Sequence, residues 1–156
     1  SGITRNWVMF RYAEILLNYA EAQNEYDLAT GETTADASVI ETIRSIRKRA
    51  GIEGDDGTYG IDNGISCQNM QTLIRNERRI EMAFEEQRYW DIRRWKIAES
   101  IFANPIKGLT ITLITGNMQF MDKEVLNAKF DKRRYLYPIP YGEVNKNSNM
   151  VQNPLW

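Results

Sequence analysis

The stretch RNERRIEMAFEEQRYWDIRRW, from Arg75 to Trp95, decides the fold that this chain is expected to adopt. It holds six arginines and five acidic residues among seven large apolar or aromatic side chains, without glycine or proline. With no helix breaker inside it, the stretch predicts helix from near Ser66 to the breaker Pro105. Because helices average about 11 to 12 residues, we expect two helices that meet around residues 86–89.

The charges of this stretch argue against nucleic-acid binding and against catalysis. Its arginines exceed its carboxylates by only one, and the whole chain has a formal net charge of -1, whereas phosphate binding needs uncompensated cations. Glu77, Glu81 and Glu85 share one side of a helix, but a glycosidase needs two carboxyls that face each other across a sugar. Neighbouring arginines would also keep these carboxyls ionised.

The remaining interpretation is a structural ion-pair network. A helical wheel centred on Ile80 places Leu73, Phe84 and Trp95 on an apolar face that also carries charged residues. Buried charges must be paired, and arginine binds carboxylates through a planar fork. The predicted network consists of Arg11, Glu14, Glu77, Arg78, Glu81, Glu85, Arg88, Asp91 and Arg94.

Composition places the chain among soluble globular proteins and removes several kinds of site. The 156 residues are 42% apolar and 26% charged, enough for one domain with a sizeable core. There is no histidine, the commonest general base and metal ligand, and the single Cys67 excludes a CxxC motif. We therefore predict no catalytic, cofactor-binding or metal-binding residue, and we interpret Cys67 as a small, partly buried side chain.

Two helices are predicted before the loop of residues 51–66. The first covers residues 11–29 and ends at Gly31; the second is capped by Thr33 or Thr34 and ends in a cationic run before Gly51. The short link predicts an αα-hairpin. The inward face of the first helix is predicted to consist of Tyr12, Ile15, Leu16, Tyr19, Ala20 and Gln23.

After Pro105 the pattern changes to strands. The segment GLTITLITGNMQF (108–120) alternates apolar and polar residues around a predicted turn at Gly116-Asn117, and RRYLYPIP (133–140) predicts another short strand. We expect a single domain over residues 1–156, with helical hairpins at 8–50 and 66–104 and a β-hairpin and irregular tail at 108–156. The predicted fold class is mainly α, with tetratricopeptide-like helical hairpins and a small β-hairpin near the C-terminus.

Five segments resemble a known family. They are RYAEILLNYAEAQNE (11–25), IRSIRKRAGI (43–52), IRNERRIEMAFEEQRYWDIRRW (74–95), YLYPIPYGEV (135–144) and NMVQNPLW (149–156). In this order they resemble the C-terminal region of the SusD/RagB family over nearly the whole chain. Leu155 departs from the family pattern, which usually has glycine there, and the loop of residues 51–66 matches nothing in it.

The resemblance implies a non-enzymatic nutrient-binding lipoprotein on the surface of a Gram-negative outer membrane. Such proteins cap a TonB-dependent, SusC-like transporter and help it to capture glycans or oligosaccharides, or peptides in some members. A lipid anchor would lie in an N-terminal part outside this chain, as would much of the ligand site. Tyr59 is a candidate for stacking on a sugar, although an ordinary loop aromatic is the commoner case. No cofactor and no nucleic acid is expected.

A free-standing tetratricopeptide-like scaffold is the alternative. It would bind a peptide or protein in a concave groove and would need no membrane anchor. A glycoside hydrolase is a third class, which would require product release that depends on Glu81 or Glu85.

Overall fold

A computed structural model of the chain describes residues 9–52, 54 and 56–156. Residue 8, where the first helical hairpin is predicted to begin, and two positions of the 51–66 loop lie outside these ranges. The described residues form two compact units, of which the first ends at Arg88 and the second runs from Tyr89 to Trp156. The elements in chain order are α1 (Tyr12–Thr30), α2 (Ala37–Arg49), α3 (Cys67–Glu81), α4 (Gln87–Arg94), α5 (Ala98–Phe102), β1 (Ile106–Ile114), β2 (Asn117–Leu126), a 3₁₀-helix (Lys132–Tyr135) and α6 (Tyr141–Lys146).

The core of the first unit forms where α1 packs against both α2 and α3. Apolar residues that recur at helical spacing on α2 and α3 supply most of it, and Ile61 adds a side chain from the loop. Removal of these side chains from water is the main driving force for assembly of the three helices. The largest of the fully buried apolar side chains are Leu17, Val39, Ile43, Ile46, Ile61, Met70 and Ile74.

The buried face of α1 differs from the predicted one. Of the predicted inward face, Ala20 is fully buried and Leu16 packs against the core, but Tyr12 and Ile15 are 73% and 53% exposed and Tyr19 is exposed as well. The buried positions of α1 are Ala13, Leu17, Ala20, Glu21, Asn24 and Asp27. The small alanines let the neighbouring helices approach closely. The polar residues of this face are missed by a prediction that counts only apolar residues, but they form hydrogen bonds in the core. Asn24, for example, donates to the Cys67 carbonyl over 3.0 Å.

The cap of α2 lies later in the chain than predicted. Asp36 is the N-cap, and its side chain accepts a hydrogen bond from the backbone N–H of Ser38 over 2.7 Å. The predicted caps cannot begin the helix because their backbone is used elsewhere. The carbonyl of Thr33 accepts from the Cys67 N–H over 3.0 Å, and Thr34 forms an isolated bridge with Ser66.

The long charged stretch divides into two helices, as expected, but the break comes slightly earlier, at residues 82–86, and the predicted helical region before Pro105 contains a third, short helix, α5. α3 begins next to Ser66, as predicted, and Ser66 is its N-cap, with its hydroxyl 3.3 Å from the Asn69 N–H. In the break Phe84 and Glu86 have φ values of 64° and 63°, in the left-handed region. The break ends the continuous phase of the predicted helical wheel at Phe84, which is exposed. Ile80 is exposed for another reason, because the buried face of α3 runs through Met70, Ile74 and Glu77 instead.

In the second unit β1 and β2 form an antiparallel hairpin. Ile114 pairs with Asn117, so the turn residues are Thr115 and Gly116, one position before the predicted turn. Both have positive φ, 47° and 80°, which is the requirement of a type I′ turn. The apolar alternation of β1 was predicted correctly, and Ile111 lies opposite Phe120 on one face of the hairpin.

The strand predicted at residues 133–140 is wrong. Lys132–Tyr135 forms a 3₁₀-helix. Side chains of the C-terminal tail form hydrogen bonds with the backbone N–H and C=O groups that would otherwise pair with a neighbouring strand. The indole N–H of Trp156 donates to the Arg133 and Leu136 carbonyls over 3.1 and 3.0 Å. The Gln152 amide both accepts from the Ile139 N–H and donates to its carbonyl.

Candidate functional site

Arg11 joins the start of α1 to the end of α3. It occupies the N-cap position of α1 in an extended conformation, and its Nε lies 2.9 Å from each carboxylate oxygen of Glu85. Its two Nη atoms donate to the carboxylate and the backbone carbonyl of Glu81. The hydrogen bond to Glu85 raises the pKa of the Arg11 guanidinium, and Glu81 adds to this effect against partial burial. The charge of Arg11 is therefore retained where it is needed to hold the two helices together.

Two arginines of α2 that were not among the predicted network residues also bind carboxylates of α3. Arg49 donates to the same Glu81 carboxylate. Arg47 Nε and Nη2 lie 3.0 and 2.9 Å from Glu77 Oε2, and both partners are largely buried. The signal in the sequence was the cationic end of one helix followed by carboxylates four residues apart on the next.

The other predicted network residues take different positions. Arg78 is buried and donates to the amide oxygens of Asn18 and Gln87, over 2.7 and 3.4 Å. Glu14 is half-buried in the first turn of α1, where the helix dipole favours a carboxylate, and forms no ion pair with any described residue. Arg88 lies in α4, near the end of the first unit.

In the second unit Asp91 pairs with Arg94 one helical turn later. The distance from Arg94 Nε to Asp91 Oδ1 is 3.1 Å, and the carboxylate of Asp91 is buried. The guanidinium of Arg94 also lies over the ring of Trp95, 4.8 Å from its centroid. This pair fixes the end of α4 from within the helix.

Tyr59 lies in a loop that α2 holds in place. Its backbone has a φ of 55°, its side chain is half-buried, and its carbonyl accepts from Arg47 Nη1 over 2.7 Å. Arg44 donates to the carbonyls of Thr58 and Ile61, over 3.2 and 2.7 Å. The loop is thus positioned by two arginines, and the role of Tyr59 as a sugar contact stays a prediction.

Cys67 is fully buried at the start of α3. Burial, together with the negative charge of Asp27, raises the pKa of its thiol. A thiol with a raised pKa is a poor nucleophile at neutral pH because little thiolate forms. Over the described ranges, no three His, Cys, Asp or Glu residues cluster as ligands of a metal ion. No helix within them is both long and apolar enough to cross a membrane.

The second unit contains an open cleft of about 680 Å³. One side of the cleft is formed by the C-terminal half of α4 and the residues that follow it, and the other side is formed by the segment 132–137. Aromatic and cationic side chains make up most of its wall, and Glu99 is the acidic residue among them. We call it the cationic cleft; it is lined by Trp90, Arg93, Arg94, Lys96, Glu99, Lys132, Tyr135, Leu136 and Tyr137.

Ring contacts hold the aromatic wall of the cationic cleft. The ring centroids of Trp90 and Tyr137 are 6.3 Å apart, and Trp90 meets Tyr89 edge to face at 4.9 Å. The hydroxyls of Tyr89 and Tyr137 are hydrogen-bonded to each other. This hydrogen bond raises the pKa of Tyr137, so its phenol is neutral at physiological pH. Both Trp90 and Tyr137 remain more than half exposed.

Comparison with known proteins identifies the chain at the level of a family. The model of the SusD family matches residues 1–156, the whole chain. The chain belongs to the SusD family. A SusD-like protein of Formosa agariphila, P2, is 31% identical over 150 residues, which are 95% of this chain and 25% of that protein. A second SusD-like protein of this organism, P38, is 33% identical over 106 residues, 67% of this chain and 20% of that protein.

Solved SusD structures have the same fold. A SusD-like protein from Bacteroides fragilis is 32% identical, with a TM-score of 0.68 over 97% of this chain and 26% of that one. A SusD homologue from Bacteroides thetaiotaomicron is 25% identical, with a TM-score of 0.69 over 96% of this chain and 27% of that one. The chain thus spans about a quarter of the length of these relatives. The predicted family and the predicted fold class, mainly α with tetratricopeptide-like hairpins and a small β-hairpin, are confirmed.

SusD family proteins are nutrient-binding lipoproteins of the outer membrane that work with SusC-like transporters, and they are binding proteins rather than enzymes. In this SusD family chain charged residues of α2 and α3 bind each other, and the cationic cleft of the second unit has room for a ligand.

Proposed function

We propose that this chain is the C-terminal scaffold part of a non-enzymatic cell-surface protein that binds glycans or oligosaccharides. The protein passes its ligand to a TonB-dependent, SusC-like transporter in the outer membrane, and a lipid anchor in another part of the polypeptide holds it there. The observation that carries this proposal is the match of the SusD family to the whole chain.

The contacts of the charged stretch support a scaffold role. The carboxylates that a hydrolase would use are bound by arginines: Glu81 by Arg11 and Arg49, and Glu77 by Arg47. Arginines bind carboxylates through their planar forks, so these carboxylates are already used in contacts between helices. These residues therefore hold helices in position and leave ligand binding to other surfaces.

The test uses the complete polypeptide that the gene encodes. Isothermal titration calorimetry against a panel of oligosaccharides and peptides should give saturable binding of a glycan, and reducing-end assays should detect no product release. Membranes from cells that express the protein should yield the transporter together with it after mild detergent extraction. Glycan turnover, binding of peptides alone, or purification without a transporter would contradict the proposal.

A further inference from the structure

The cationic cleft has a net positive charge, whereas the chain as a whole does not. Four cations line it against one carboxylate, Glu99, whereas the chain as a whole has a formal net charge of -1. The charge of Arg94 is matched by Asp91. An anion that enters the cleft therefore meets three further cations, Arg93, Lys96 and Lys132, none of which pairs with a carboxylate of the described chain.

Arg93 is held in position by neutral groups. Its Nη1 donates to the Tyr89 carbonyl over 2.8 Å, and its guanidinium lies 3.4 Å from the centroid of the Tyr89 ring and 5.3 Å from that of Phe130. Such partners orient the planar fork without cancelling its charge. A cation that is already ordered loses little conformational entropy when it binds a carboxylate or a sulfate.

The two lysines reach the cleft from different segments. Lys96 follows α4 in the left-handed region, with a φ of 53°, and the Ile97 N–H closes the helix on the Ile92 carbonyl over 3.0 Å. This is the C′ position of a helix, where glycine is the favoured residue. Lys132 begins the 3₁₀-helix. The positive charge therefore comes from more than one wall.

The aromatic wall of the cleft suits a ring-shaped ligand. Trp90 and Tyr137 are 56% and 59% exposed, although ring contacts already hold both. Exposed aromatic side chains in fixed positions offer apolar area with a polar edge, which matches a sugar ring with an apolar face and a rim of hydroxyls. The volume of about 680 Å³ lies within the range of about 300–1,000 Å³ that is typical of small-molecule sites.

We infer that the cationic cleft binds an acidic saccharide. The apolar face of a sugar ring stacks on Trp90 and Tyr137, while a carboxylate or sulfate on that ring binds Arg93 and the two lysines. This inference names the glycan class of the binding function proposed above and rests on that function. A neutral sugar would leave the cations of the cleft without a partner.

The probes are three trisaccharides, of which two are anionic and one is neutral. Trigalacturonate carries carboxylates, its methyl ester keeps the rings and removes the charge, and a sulfated galactose trisaccharide carries the other anion. Calorimetry on the complete polypeptide should show that both anionic trisaccharides bind and that the methyl ester binds at least tenfold more weakly. Raising the ionic strength should weaken the binding of the anionic forms, because the cations are partly exposed.

Lys96→Gly separates loss of binding from loss of folding. Glycine relieves the left-handed backbone at this position, so the variant should melt at the same temperature as the wild type or higher. Removal of the cation should weaken trigalacturonate binding by roughly fivefold, as for other partly exposed charge pairs. Lys123→Gln, on the exposed strand β2 outside the cleft, is the matched control and should bind like the wild type. Trp90→Ala should weaken binding of all three trisaccharides, and Trp90→Phe should restore most of it.

The outcomes distinguish the acidic ligand from the broader function. If the methyl ester binds as tightly as trigalacturonate, or if Lys96→Gly binds as tightly as the wild type, the acidic-saccharide site is overturned while glycan binding stands. If an acidic peptide binds in the cleft and no trisaccharide does, this inference also fails. If neither these trisaccharides nor any other glycan of the panel binds, both this inference and the proposed function fail.

Discussion

Leu155 carries a side chain where the backbone favours glycine. Its φ of 72° lies in the left-handed region, and its side chain is exposed. The same position is the one at which the tail departs from the pattern of the family it resembles. A β-carbon in this conformation costs about 1–2 kcal/mol.

Leu155→Gly is therefore expected to raise the free energy of unfolding of the second unit by up to about 1 kcal/mol, after the greater unfolded-state entropy of glycine is subtracted. Urea unfolding followed by Trp fluorescence measures the change. Leu155→Ala is the matched control: it removes a similar exposed side chain but keeps the β-carbon, so it should give no gain. A glycine variant less stable than the alanine variant would disprove this explanation.

Asp36 makes the stability of α2 depend on pH in the acid range. Hydrogen bonds from the Ser38 hydroxyl and the Ser38 N–H lower the pKa of the Asp36 carboxyl below its ordinary value of 3.8. Because the pKa is lower in the folded state, the contribution of Asp36 is complete above the unfolded pKa. It is lost as the pH falls through the folded value.

Asp36→Asn tests this dependence, since asparagine is also a good N-cap but does not titrate in this range. Unfolding curves at several pH values should show that the advantage of the wild type over Asp36→Asn shrinks below about pH 4. An advantage that stays constant down to about pH 2 would exclude the Asp36 carboxylate as its source.

At the scale of elements, the charged stretch connects helices through a shared carboxylate. Glu81, at the end of α3, binds Arg11 at the start of α1 and Arg49 at the end of α2. All three helices of the first unit thus meet at one side chain, which is mostly buried. A neutral acceptor in its place would leave two guanidinium groups with weaker partners.

Glu81→Gln should lower the free energy of unfolding of the first unit by about 1–3 kcal/mol, because hydrogen bonds to charged groups contribute about that much. The control is Glu86→Gln, in the turn after α3, where the carboxylate is exposed and binds no described residue. Differential scanning calorimetry of both variants measures the effect. Equal melting temperatures for the two would remove the structural role assigned to Glu81.

The elements differ in how far the sequence could predict them. The starts of α1 and α3 and the apolar alternation of β1 follow from local periodicity, and these predictions hold; the break in the charged stretch was predicted, but a few residues too late. The buried face of α1 was predicted only in part, at Ala20, because other alanines and polar residues form most of it while the tyrosines lie outside. The 3₁₀-helix at 132–135 depends on contacts with Trp156, which no local pattern contains.

The candidate site was predictable only in part, for the same reason. The carboxylates and Arg11 are visible in the charged pattern, but their partners Arg47 and Arg49 lie far away in sequence and become neighbours only through helix packing. The cationic cleft is still less visible. Trp90 and Arg93 belong to the charged stretch, whereas Tyr137 lies in a segment for which the sequence predicts a strand, and Lys132 precedes that segment.

At the scale of the whole molecule, the chain exposes an apolar stripe on α1. Tyr12, Ile15, Tyr19 and Tyr26 recur at helical spacing and are all exposed. The relatives are about four times as long as this chain. We expect the isolated chain to self-associate through this stripe, because apolar patches on a soluble protein mark surfaces that are covered in the assembled state.

Ile15→Lys should reduce this association and leave the melting temperature almost unchanged, since the side chain is already in water. Leu17→Lys, two residues away and fully buried, should instead unfold the first unit. Sedimentation velocity over a range of concentrations, with circular dichroism for folding, measures both effects. A monomeric wild-type chain at high concentration would refute the expected association.

The carboxylate shared by Arg11 and Arg49 also bears on how the family can change in evolution. Two cations that depend on one anion are epistatic: once Glu81 is replaced, substitution of either arginine should have a smaller effect than it has in the wild type. Positions 11, 49 and 81 should therefore be replaced together among relatives more often than independently. Lineages that lose the carboxylate would then be free to lose Arg49, whereas Arg11 would keep its contacts with Glu85.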